Sequence, residues 1–430
     1  MTETLEISGE ALRNDIERTA EFGAIDCTEG RGRTALPGTM SNGQARTYLT
    51  ERMAVAGLEV SIDAVGNISG RWSPDTVDDD TQPVAAGSHL DSVPEGGIFD
   101  GPLGVYAALE SVRAIKDSDL TVNRPIEVVC FTGEEGTRFS DGALGSSVAA
   151  GKLPVDKALS YSDGDQTLEQ ALDHIGFKGH GRLEASNWHA WFEVHVEQGK
   201  RLERADVPLG IVSSITGTTR CHVTFNGESN HSGTTPMTDR HDALTAGSEF
   251  ILALESAAKD IATTDSESAV ATVGSLSVAP GATNVVPGTV ELSVDIRDVD
   301  AAVIQRLIDT VEQTCDRIET ERAVDTEIER GYDIPPTTMI DRLSEQLRRA
   351  TLKNGIEPFT LHSGAGHDTM QIAEVTDVSM LFARSRGGHS HNPLERTDWE
   401  DCTLATRVLA TAIAETAGAD VGDQNAADSR

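Results

Sequence analysis

Apolar residues recur at helical spacing over residues 5–25 and again over 44–56, where Gly57 offers a C-cap. Residues 58–65 alternate as a strand, and Gly66-Asn67 marks the turn into a second one. Beyond an Asp-rich, solvated loop at 75–80, the short apolar run 83–87 predicts a buried strand that delivers His89. A helix over 104–115 follows, then a buried strand over 125–131 that delivers Glu134 and Glu135. This rhythm predicts an α/β layer: a mixed, largely parallel sheet flanked by helices. In such sheets ligands gather at the carboxyl ends of the strands, where these polar residues fall.

The texture changes near Ile215. Strand patterns over 220–225, 269–278, 289–297 and 323–329 alternate with helical ones over 242–261 and 301–318. That order predicts an α+β sandwich with helices on one face, about residues 215–330. It interrupts a first domain of about 1–214 and 331–430, because further histidine motifs come after it. Hinges are expected near Ser213-Ser214 and Gly331. Residues 418–430 are small and acidic and predict a disordered tail. No internal repeat is visible.

Composition narrows the class. At 430 residues, two domains are the expectation. No segment approaches the roughly 18 uninterrupted apolar residues a membrane span needs, and the acidic N-terminus lacks the features of a signal peptide. Five scattered cysteines without a CxxC pair support neither a disulfide framework nor a zinc finger. Free thiols in a reducing cytoplasm are expected. The net charge of −35 disfavours nucleic acid and anionic membranes as partners. Only seven of the 35 basic residues are lysines, and such a surface resembles that of halophilic proteins, in which salt screens the self-repulsion.

Candidate chemistry lies in five places: GSHLDSV with His89 and Asp91, FDGPLG with Asp100, FTGEEG with Glu134 and Glu135, HVEQG with His195, and GHSHNP with His389 and His391. Taken singly each is weak, since a lone histidine beside glycine is more often a hydrogen-bonded loop residue. Together, imidazoles and carboxylates at strand ends predict a metal site assembled by the fold. Two divalent ions sharing one carboxylate need about five protein ligands and leave room for a water nucleophile. Glu134 is the natural general base for that water. Glu135, pointing the other way along an extended chain, is free to bind metal. Asp91 is suited to orient the His89 imidazole.

These motifs, with NHSGTTPM, RHDAL, TNVVPG, DIRD, SGAGHD and SHNPLE, resemble in order the amidohydrolase branch of the two-metal aminoacylase/carboxypeptidase superfamily. That branch contains N-carbamoyl-L-amino acid hydrolases, allantoate amidohydrolases and β-ureidopropionases. The resemblance implies that His89, Asp100 and His195 hold one divalent ion and that Asp100, Glu135 and His391 hold the other, with Asp100 bridging. Zn²⁺ is the first choice, Mn²⁺ or Co²⁺ the alternatives. It further implies that Gln198, His231 and Asn284 reach the substrate, that Arg297 clamps its carboxylate, and that the inserted domain acts as a lid and pairs in a homodimer. The expected substrate is a small anionic ureido compound, first an N-carbamoyl-L-amino acid, then allantoate or N-carbamoyl-β-alanine.

The chain departs from the family pattern at Ser232, at His241 and over residues 384–391. The last departure leaves two candidate ligands, His389 and His391, of which spacing to Asn392-Pro393 and Glu395 favours His391. An aminoacylase or dipeptidase is a competing reading. A non-catalytic scaffold is another, but such a protein is expected to lose ligands or the base, and all are present here.

Overall fold

The computed structural model describes residues 5–78 and 80–422. The chain forms two compact units, Met1–Ser213 with Met339–Arg430, and Ser214–Thr338. The return expected at Gly331 falls inside the strand Asp325–Ile334, which is held along the strand Gly217–Asn226, so the second unit runs on to Thr338.

Four parallel strands form the centre of the larger unit, in the spatial order Ile126–Phe131, Val84–His89, Ala190–Val196 and Val378–Ala383. All four are buried along their whole length. Their near-continuous apolar runs follow from burial on both faces. Antiparallel strands flank them: Ile68–Trp72 and Glu59–Ile62 beyond one edge, Leu209–Ile215 beyond the other. The helix Pro102–Asp117 starts two residues before the expected position, with a proline in its first turn, where a missing N–H costs nothing. It packs against Trp399–Thr416, whose Thr406 carbonyl accepts from Ser111 Oγ at 3.4 Å.

The predicted disordered tail is corrected at its start. Ala419 N–H donates to the Ala414 carbonyl at 2.9 Å, Val421 is buried, and the Val421 carbonyl accepts from Lys353 Nζ at 2.6 Å. Residues 423–430 lie outside the described part.

The second unit is a four-stranded antiparallel sheet in the order Val270–Ala279, Thr289–Asp298, Gly217–Asn226, Asp325–Ile334. Alternate residues of Gly217–Asn226 are buried, and Val223 and Phe225 join Phe250, Leu254, Leu307 and Val311 in one core. The last four come from the helices Ala243–Thr264 and Ala301–Arg322. Asp242 and Asp300 cap these helices by accepting main-chain N–H groups of their first turns.

Candidate metal centre

The carboxyl ends of the four parallel strands bring the predicted ligands of the larger unit together. His89 closes its strand, and its Nδ1 lies 3.2 Å from the main-chain oxygen of Asp91. That contact directs Nε2 inward, to 3.4 Å from Asp100 Oδ1 and 3.7 Å from Glu134 Oε2. His195 is set in the same way, with Nδ1 at 3.0 Å from the Val196 oxygen and Nε2 at 3.2 Å from Asp100 Oδ1. Gly101, at φ +81°, makes this approach possible, because a Cβ there would stand 2.6 Å from His89 Cε1.

The other oxygen of Asp100 turns the opposite way. Oδ2 accepts from Gln198 Nε2 and Ser390 Oγ, each at 3.1 Å, and lies 3.7 Å from His391 Nε2. His391 Nε2 is in turn 3.1 Å from Glu135 Oε2. Two groups result, His89 with Asp100 and His195, and Asp100 with Glu135 and His391; within each, one ligand atom per residue lies within 4.8 Å of the others. Asp100 belongs to both. His391 belongs to the second group, and among the described residues His389 belongs to neither.

The model of the peptidase family M20/M25/M40 matches residues 85–415. The chain belongs to that family. A 408-residue alignment relates this M20 chain to an N-carbamoyl-L-amino acid amidohydrolase of Geobacillus stearothermophilus at 37% identity, covering 94% of this chain and 97% of the relative. Allantoate deiminase 2 of Glycine max is also 37% identical, over 93% of this chain and 88% of its own. A crystal structure of a hydantoinase/carbamoylase family amidase from Burkholderia multivorans superposes with a TM-score of 0.89 at 33% identity, over 96% of this chain and 98% of that one. The M20 chain is therefore a hydrolase acting on amide C–N bonds.

The residues of the centre suit divalent cations. His89 Nε2 is buried without a hydrogen-bond partner, and in the first group both imidazoles use Nδ1 on main-chain carbonyls, which presents Nε2 as a donor to a metal. Protons otherwise supply the cationic charge. Burial disfavours a proton on His195, yet the Asp100 carboxylate outweighs it and raises the pKa to about 9. His89 follows the same pattern, with burial opposed chiefly by Glu134 and Asp100. Burial is also the largest influence on Glu134 and, with Asp368, Glu135 and Asp100 close by, holds that carboxyl well above its ordinary range. A carboxyl pushed upward by burial and by neighbouring carboxylates suits an acid–base group beside a cation site.

Asp91 differs from its expected role. Its carboxylate stands 3.9 Å from the His89 ring, and the main-chain oxygen makes the close contact instead. The carboxylate accepts the main-chain N–H groups of Gly133, Glu134 and Glu135 at 3.1, 3.4 and 3.3 Å. It therefore holds the turn that carries Glu134 and Glu135.

In the second unit, His231 Nδ1 accepts N–H groups from Gly233 and Thr234 at 3.0 and 3.1 Å, so its exposed Nε2 carries the ring proton as a donor. Ser232 N–H donates to the Asn284 carbonyl at 3.0 Å, which places Asn284 beside it. Arg297 lies elsewhere, in the strand Thr289–Asp298, with Nε and Nη2 on the two carboxylate oxygens of Asp295 at 2.8 and 3.2 Å.

Motif reading passed over several residues that the fold places around the centre. The His367 ring meets that of His195 edge-on at 4.7 Å, and Asp368 is buried beside it with Ser146 Oγ at 2.5 Å. Both stand in SGAGHD, whose glycines and adjacent His-Asp were the available signal. Arg33, fully buried with two unpartnered donor nitrogens, carried no comparable signal.

Proposed function

We propose that this chain hydrolyses the ureido C–N bond of an N-carbamoyl-L-amino acid, giving the amino acid, carbon dioxide and ammonia. The observation that carries this reading is Asp100, with one carboxylate oxygen turned to each of two ligand groups and Glu134 beside the first. The relative from Geobacillus stearothermophilus, aligned over nearly the whole chain, supports the substrate class. The equally similar Glycine max protein favours allantoate as the second reading. Imidazole and carboxylate donors suit Zn²⁺ first, and also Mn²⁺ or Co²⁺.

Two bound ions would polarise the ureido carbonyl and the attacking water. Glu134 would take the proton of that water and return it to the departing nitrogen. Gln198 would steady the substrate beside Asp100. His231 Nε2–H and the Asn284 amide would donate to the oxyanion, and Arg297 would exchange Asp295 for the substrate carboxylate, a bidentate match.

We also infer a homodimer that shares its sites. His231 pairs with Val285, just ahead of the strand Thr289–Asp298, whereas Arg297 stands near the far end of that strand, roughly 26 Å from Thr289 at about 3.3 Å per residue. One small substrate does not span that distance, so a site using both His231 and Arg297 draws on two copies. Leu252, Val270 and Leu276 are exposed on the helix Ala243–Thr264 and the edge strand Val270–Ala279, which supports a second copy as the cover. The five free cysteines, four of them buried, fit a reducing cytoplasm, and among the described residues no helix is long and apolar enough to cross a membrane.

Ammonia release from N-carbamoyl-L-amino acids, allantoate, N-carbamoyl-β-alanine, N-acyl amino acids and dipeptides tests the reading. Turnover confined to the last two classes refutes it. Glu134→Gln is expected to remove most turnover and leave metal content intact; substantial retained activity would displace Glu134 as the base.

A further inference from the structure

We propose that Glu395 is a positioning residue that fastens the Asp100 loop to the segment bearing His391, and so sets the spacing of the two ligand groups. This inference rests on the metal-centre reading above.

Glu395 is only 4% exposed. Its Oε1 accepts two main-chain N–H groups, those of Phe99 at 2.9 Å and Asp100 at 3.0 Å. The loop lies directly on this carboxylate: a Cβ at Gly97 would stand 2.3 Å from Glu395 Oε1 and 2.6 Å from its Cβ. The segment carrying Glu395 is itself closed into a turn, with Glu395 N–H on the Asn392 carbonyl and Leu394 N–H on Asn392 Oδ1, both at 2.9 Å.

The residue just before that turn is His391, which adopts φ +54°. Positive φ is uncommon outside glycine, and histidine is among the residues that adopt it most readily. Residues 390–395 thus touch the Asp100 loop twice. Ser390 Oγ donates to the Asp100 side chain, and Glu395 accepts from its backbone. Since the two oxygens of Asp100 serve different groups, a small rotation of the loop would pull Oδ1 from His89 and His195 and Oδ2 from His391 together. Fixing the backbone N–H of Asp100 prevents that rotation. The requirement is for an acceptor oxygen at full glutamate reach.

This requirement separates two substitutions in the full chain. Glu395→Gln keeps the acceptor and the length; Glu395→Asp keeps the carboxyl group but falls short by one methylene. Zinc affinity, read by competition with a chromophoric chelator, is expected within threefold of wild type for Glu395→Gln. It is expected to fall about 10–100-fold for Glu395→Asp, the range typical of residues that support metal ligands. Gly97→Ala, which crowds the same carboxylate from the loop side, should weaken zinc binding in the same direction and decides the matter if Glu395→Asp does not fold. Wild-type zinc affinity in every folded variant, or equal losses for Gln and Asp, overturns the proposal. A wild-type chain that binds no zinc overturns the metal-centre reading instead.

Discussion

The carboxylate of Asp91 receives the main-chain N–H of Glu134 at 3.4 Å, and Gly133 and Glu135 donate to the same group. Asp91 thereby sets the direction of the proposed base, Glu134, and of the candidate ligand Glu135 through their backbone. Asp91→Asn replaces one acceptor oxygen by a donor amide that faces N–H groups. The expected outcome is a fall in kcat of about 10–100-fold with KM little changed, and a loss of stability of about 1–3 kcal/mol. Steady-state kinetics and denaturant unfolding would check both; unaltered kcat would show that the turn holds without the carboxylate.

Metal uptake should release protons. His195 without a metal keeps its proton up to about pH 9, because Asp100 outweighs its burial. An imidazolium must lose that proton to become a ligand. Apparent affinity for Zn²⁺ or Mn²⁺ should therefore climb with pH toward about 9, by about tenfold per unit for each proton displaced. Calorimetry at pH 7.5 in buffers of differing ionisation enthalpy would count those protons, and a buffer-independent heat would contradict the assignment.

Mixing two inactive chains tests the shared site. A heterodimer of Glu134→Gln with His231→Ala has one site in which both the base and the donated histidine are intact. Activity approaching half of wild type per heterodimer is expected. If subunit exchange is demonstrated and no activity returns, His231 serves its own chain or does not act.

A net charge of −35 makes stability depend on salt. The Debye length shrinks from about 8 Å in 0.15 M salt to about 3 Å in 1 M, and self-repulsion weakens with it. Tm should rise steadily between 0.1 and 2 M KCl, by a few degrees for each kcal/mol regained. A flat or falling thermal shift across that range would remove the halophilic reading of the surface.

Periodicity revealed most of the scaffold because burial is written into it. The unbroken apolar runs before His89 and Glu134 are strands covered on both faces, and the alternation of Gly217–Asn226 is a strand covered on one. The candidate ligands were legible where histidine or carboxylate ends such a run. Glu395 and Arg33 were not, since their work depends on neighbours about 295 and 58 residues away in the chain, Asp100 and Asp91. The second role of Asp91 was hidden for the same reason: a side chain that grips a distant backbone leaves no spacing to read. The limits of the second unit moved because strand pairing carries Asp325–Ile334 past the glycine at which its pattern fades.

The two ligand groups are unequal in depth. His89, Asp100 and His195 are all buried, whereas the His391 side chain is 50% exposed. An ion in the first group would be enclosed by buried side chains, and one in the second would sit beside the half-exposed His391. Loading and stripping should then proceed in two stages, the outer ion exchanging quickly and the inner one slowly. A cell short of metal would hold a reserve of half-filled chains, and catalytic capacity would track supply of the outer ion alone.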